Sequence, residues 1–173
     1  MWGTFVLRKE DFFMYTIGDQ VLYPMHGAGV ITSVEERDIL GEIKQYFVMK
    51  MPVGNMEVLI PVESLERIGV RDIITSEQAV DVLRDFKECT IEFNKNWNKR
   101  YRENMEKIRS GNIYEVAHVV KSLMIRDRDK GLSAGERKML ISAKRILVSE
   151  LILATKTEEA TIEKEIDKII EFC

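Results

Sequence analysis

The hydrophobic pattern of this 173-residue chain changes period near Gly69, and that change limits what each half can fold into. Before Gly69, apolar residues occur in short runs broken by glycine, proline and charge. Asp19–Tyr23 ends at Pro24, and Gly29–Val34 restarts after the His26-Gly27-Ala28 turn. Gln45–Met51 is bounded by Gly41 and Pro52, and Met56–Ile60 stops at Pro61. Short β-branched and aromatic runs between turn residues predict four or five strands in a small twisted sheet or barrel. Gly54-Asn55 suits the turn between the last two runs, because both residues tolerate positive φ. So few strands need closure or a partner to protect their edges.

After Gly69 the period becomes helical. Thr75 or Ser76 opens a helix through Phe86, with Ala79, Val80, Leu83 and Phe86 at helical spacing. A second helix runs from about Asn94 to Arg109 and stops at Gly111. Asn112 caps a third, with Val116, Val119, Val120 and Leu123 on one face, ending near Lys130-Gly131. Ser133 and Glu136 have the spacing of a capping box and launch a long helix carrying Leu140, Ile141, Ile146, Leu147, Leu151 and Ile152. A last acidic helix starts near Thr157 with Ile162, Ile166, Ile169 and Ile170. The expected class is α+β: a small β domain over residues 14–68, then a bundle of about five helices over 69–173.

Several functions are disfavoured by what such chemistry needs. There is no apolar run of membrane-spanning length. The start, Met1–Phe13, has its charges after the short apolar piece rather than before it, unlike a secretory signal. With Cys89 and Cys173 as the only cysteines, a reduced cytoplasmic protein is expected. His26, Cys89, His118 and Cys173 are scattered along the sequence, so no metal site is expected. The glycine-rich His26–Gly29 stretch lacks phosphate-loop spacing, and a turn histidine is its simpler reading. His118 falls on an apolar helix face, and Cys89 has no sequence motif for a nucleophile. Glu35-Glu36 and Glu158-Glu159 read as solvated charge. The expectation is a protein without catalysis or cofactor.

A net charge of −3, from 26 basic and 29 acidic residues, argues at first against a nucleic-acid partner. The total conceals a segregation. Residues 95–145 hold 14 basic and 6 acidic side chains, between acidic flanks. Within it, Lys95–Arg102 combines four cations with Trp97 and Tyr101 and contains no acid. On a helix, Trp97, Arg100 and Tyr101 share a face. Two readings stand at this point: the indole packs into the bundle, or it is exposed and able to wedge at a base step. A second basic stretch, Lys121–Arg145, includes Arg126, Arg137 and Lys138, and the helix start at Ser133 offers amides that suit a phosphate. A mixed-charge, solvated helix hairpin is the plainer alternative there.

These residues also carry a resemblance. Ile17-Gly18-Asp19-Gln20-Val21-Leu22-Tyr23-Pro24-Met25-His26-Gly27-Ala28-Gly29-Val30 resembles the opening of the CarD-like (CarD/CdnL) transcription regulators. Ile60-Pro61-Val62, Gly69-Val70-Arg71, Asn96-Trp97 through Tyr101, Ser110-Gly111 and Arg128 through Glu136 match further blocks, so the likeness runs from Met14 to about Leu153. The first block is shared with transcription-repair coupling factors, but this chain has neither their length nor a phosphate loop. Residues 1–13 precede the usual family start, and no AT-hook-like tail is present, as in the short stand-alone type.

The resemblance implies a Tudor-like domain that binds the β subunit of bacterial RNA polymerase, and a helical domain that touches promoter DNA at the upstream bubble edge. It assigns the DNA side to Trp97 as minor-groove wedge, with Lys99, Arg100, Arg102, Arg126, Arg137 and Lys138 near the backbone. It assigns the polymerase side to Arg37, Tyr46, Val58 and Leu59, where Leu59 occupies a position that holds arginine in other members. It further implies a monomer associated with the nucleoid through the polymerase, with little sequence preference. A rival from another class is a polymerase-tethered adaptor whose helical half recruits a second protein, since Trp and Arg also dominate protein interfaces.

Overall fold

The structure is a computed structural model describing residues 14–173; the expected extension, residues 1–13, lies outside the described residues. Five antiparallel strands come first: β1 (Gln20–Tyr23), β2 (Gly27–Ile39), β3 (Glu42–Lys50), β4 (Glu57–Pro61) and β5 (Arg71–Asp72). Their order is β4-β3-β2-β1-β5. A 3-10 turn and the one-turn helix α1 (Leu65–Ile68) connect β4 to β5. Because β5 pairs with β1 through Leu22↔Arg71, the sheet takes its last strand from beyond the point where the hydrophobic period changes.

The β3–β4 connection turns at Gly54 and Asn55, both at positive φ (70° and 50°), and Met51 N–H donates to the Met56 carbonyl across it. An irregularity in the β2–β3 register between Ile31 and Ser33 restores inward pointing for Val34, opposite Phe47. Phe47, Met49, Ile60, Ile31 and Val21 form the sheet's own core.

Five helices follow: α2 (Ser76–Glu88), α3 (Trp97–Arg109), α4 (Ile113–Lys130), α5 (Ala134–Thr155) and α6 (Glu159–Glu171). Thr75 with Gln78, and Ser133 with Glu136, form complete capping boxes; Asn96 and Asn112 cap α3 and α4. The expected α4 face, Val116, Val119, Val120 and Leu123, is buried. Two apolar assignments differ. Val80 and Ile141 are exposed, while Val82 and Ala143 are buried in their helices' places.

The sheet and the bundle share a core, because Leu22 and Ala28 pack among the buried side chains of the helices. Helix α5 lies against β2 where Gly27 permits close approach. A Cβ there would sit 2.6 Å from Met51 Cε and 2.8 Å from Ser149 Oγ, and Gly27 has φ +126°. The Ala28 N–H donates to Ser149 Oγ at 2.9 Å. Beside it, Arg71 donates to both Glu150 oxygens (2.6 and 3.0 Å) and to the Gly111 carbonyl (2.8 and 3.2 Å). Among the described residues, no helix is long and apolar enough to cross a membrane.

Candidate nucleic-acid interface

The basic-aromatic stretch becomes the first turns of α3, and the capping box of α5 meets it. Asn94 Oδ1 accepts from the Asn96 N–H, and Asn96 Oδ1 accepts from the Lys99 N–H, so two asparagines set where α3 begins. That start aims Trp97 and Arg100 at the first turn of α5. The Trp97 indole N–H donates to Ser133 Oγ at 3.3 Å, and its ring stacks on Tyr101 with centroids 5.2 Å apart. Gly135 lies against both rings. Trp97 nevertheless remains 44% exposed, which decides between the two sequence readings in favour of a surface indole.

Arg100 takes the opposite path. It is 5% exposed, and its Nε and Nη2 donate to Glu136 Oε1 at 2.9 and 2.7 Å while Nη1 donates to the Asn94 carbonyl at 2.8 Å. The other carboxylate oxygen, Oε2, accepts from the Ser133 N–H and hydroxyl. Burial pushes the Glu136 carboxyl upward, but the hydrogen bonds from Arg100 and Ser133 outweigh it and hold the group below its ordinary value. Ser133 therefore links Trp97 to Glu136, and Glu136 links Ser133 to Arg100, in one network across two helices. Arg100, expected near the DNA backbone, is thus buried with its guanidinium bonded to Glu136 and the Asn94 carbonyl rather than facing solvent. Arg126 is intermediate, with Nε 3.5 Å from Glu136 Oε1 and without hydrogen-bond geometry.

Lys99, Arg102, Arg137 and Lys138 are exposed on the opening turns of α3 and α5. Among the described residues, the Lys99 ammonium makes one long contact, with Glu103 at 3.8 Å. The positive end of α5 is already met by Glu136 and Ser133. Three further cations of the second basic stretch are paired elsewhere. Lys121 is buried, donating to the Lys87 and Cys89 carbonyls. Arg128 bonds Asp129 and the Ile170 carbonyl, and Lys144 faces Glu163 and Asp167.

On the sheet, the cross-strand registers Glu35↔Tyr46↔Pro61, Arg37↔Lys44 and Val48↔Leu59 set Arg37, Tyr46 and Leu59 on one face. Val58 is opposite Met49 and packs against the sheet core, so its side chain lies on the other face from these three. Arg37 is held by Glu35 at 2.8 Å and stays half-exposed. Strand β4 is an edge of the sheet. The β2–β3 tip exposes Ile39, Leu40 and Ile43, with Ile39 and Ile43 on opposite faces of the hairpin.

The histidines separate in role. His26 stacks on Tyr23, with its Nδ1 3.2 Å from the Pro24 carbonyl. His118 Nε2 lies 2.6 Å from Asp85 Oδ2. Packing of α2 on α4 brings Cys89 to the same pair, so two of the residues expected to be scattered are neighbours in space.

Two family descriptions match the chain. "CarD-like/TRCF RID domain" covers residues 15–74, and "CarD, C-terminal domain" covers 79–167. A relative from Bacillus subtilis (strain 168), named "Putative transcription factor YdeB", is 38% identical over 138 residues, which span 80% of this chain and 90% of that protein.

Proposed function

The chain belongs to the CarD-like transcription factors, and on that premise we propose that it is a non-enzymatic regulator that tethers to RNA polymerase through its sheet and steadies the promoter open complex through its helices. The observation that carries this reading is Trp97: a half-exposed indole, fixed by Ser133 and Tyr101 and flanked by the exposed cations Lys99, Arg102, Arg137 and Lys138. An aromatic held in one orientation loses little freedom when it inserts, which favours a wedge at an already unstacked junction. The cations supply attraction to the backbone that is insensitive to sequence.

The polymerase contact is proposed to use the face that carries Arg37, Tyr46 and Leu59, beside the open edge of β4, with the β subunit as partner. Leu59 replaces a cation there with an apolar side chain, so this contact depends more on packing and on Arg37. The helices alone bind duplex weakly, and tethering raises their effective concentration at the bubble edge.

The test is the lifetime of a promoter open complex after competitor challenge, with and without the full chain. The proposal expects a longer lifetime, diminishing as Lys99, Arg102, Arg137 and Lys138 are neutralised together. Polymerase binding with no change in lifetime would instead support the adaptor reading, in which this face recruits a second protein.

A further inference from the structure

We propose that Asp85, Cys89 and His118 form a binding site for one divalent ion of the zinc class, joining the end of α2 to the middle of α4. Asp85 stands in the last turn of α2, Cys89 caps that helix four residues later, and His118 faces both from α4. One donor atom from each lies within 4.8 Å of the other two. Zinc bonds of about 2.0–2.3 Å put tetrahedral donors roughly 3.3–3.8 Å apart. Small side-chain rotations therefore close the set around an ion.

The donor chemistry selects the metal. One carboxylate oxygen, one thiolate sulfur and one imidazole nitrogen suit zinc or cobalt, whereas calcium and magnesium require oxygen ligands. An aspartate and a thiolate together balance two positive charges. Lys121 donates to the Lys87 and Cys89 carbonyls at 3.1 and 2.7 Å, which fixes the backbone that presents Cys89. The three donors form a single set, which accommodates one ion.

The 2.6 Å contact between His118 Nε2 and Asp85 keeps two donors converged in the metal-free protein. On loading, the Cys89 thiol proton leaves to solvent, His118 keeps its proton on Nδ1, and nothing is oxidised or reduced. His118 also lines a cleft of about 380 Å³ bordered by Arg100, Asn104 and Ser122, so water completes the fourth position. The ion would pin the segment after Cys89 that leads to Trp97. This inference is independent of any polymerase contact.

The experiment is titration of the full-length protein with cobalt(II) alone, followed by displacement with zinc(II). The expected result is one equivalent bound at micromolar concentration, with a near-ultraviolet sulfur-to-cobalt band and the intense visible bands of a tetrahedral ion. Cys89→Ser should abolish the sulfur band. Asp85→Asn and His118→Gln, on half-exposed side chains that leave the core intact, should each weaken binding at least tenfold while circular dichroism stays unchanged. Cys173→Ser should bind like the parent. Failure to bind one equivalent overturns the proposal, as does binding that survives both Asp85→Asn and His118→Gln or depends on Cys173.

Discussion

Arg100 and Glu136 form a buried ion pair, with two nitrogens of the guanidinium on a single carboxylate oxygen at 2.9 and 2.7 Å. The pair is connected to Trp97 through Ser133. Removing one partner strands the other in a site with little access to water. Arg100→Ala is expected to cost about 3–5 kcal/mol. Urea unfolding followed by circular dichroism measures it. A loss below about 1 kcal/mol would mean that the pair does not position the site.

The same carboxylate gives the fold an acid-sensitive element. Glu136 is held below its ordinary value when folded, so its contribution is fully present above the unfolded-state pKa. That contribution is lost as pH falls through the lower, folded value. Unfolding midpoints between pH 7 and pH 3 should drop more steeply in the parent than in Glu136→Gln, which carries no titrating group. Parallel curves would contradict the assignment.

Gly27 and Arg71 join the sheet to α5 by different means. Gly27→Ala forces a Cβ against Met51 and Ser149 at a φ hostile to alanine, and should cost about 2–5 kcal/mol. Arg71→Ala leaves Glu150 wholly buried without its cation and should cost about 3–5 kcal/mol. Because Leu22 and Ala28 belong to the helical core, both variants should still unfold in one transition. Two separated transitions would show that sheet and bundle are independent.

On the polymerase side, Arg37→Glu should weaken binding to the polymerase at least tenfold and leave the unfolding free energy within about 0.5 kcal/mol of the parent, as expected for an exposed position. Leu59→Arg should strengthen binding, since it restores the cation that other family members carry. Unchanged affinity in both variants would move the contact away from this face.

Local chemistry made much of this architecture legible in the sequence. Asn112 and the Ser133–Glu136 box act within three residues of themselves, so those helix starts could be read directly, whereas α3 begins at Trp97 behind the cap Asn96 and not near Asn94. The strands were bounded by turn residues that remain at turns. What could not be read depends on contacts between distant segments. Nothing near Arg100 announces Glu136, 36 residues away, so a buried pairing residue looked like one more surface cation. Val80 and Val82 are equally apolar, and only the docking of α2 on its neighbours decides which is buried. Cys89 and His118 approach because α2 packs on α4, a relation that spacing along the chain cannot express.

The exposed indole of Trp97 is proposed to steady the open promoter. Trp97→Ala removes the ring and leaves Arg100, Glu136 and the cations in place. With polymerase and promoter, the variant should bind polymerase as the parent does and shorten the open-complex lifetime at least about fivefold, matching the roughly 1–3 kcal/mol of one base–aromatic contact. Trp97→Phe should recover part of it, since it keeps a ring but loses the bond to Ser133. An open-complex lifetime unchanged by Trp97→Ala, with polymerase binding intact, would contradict the account.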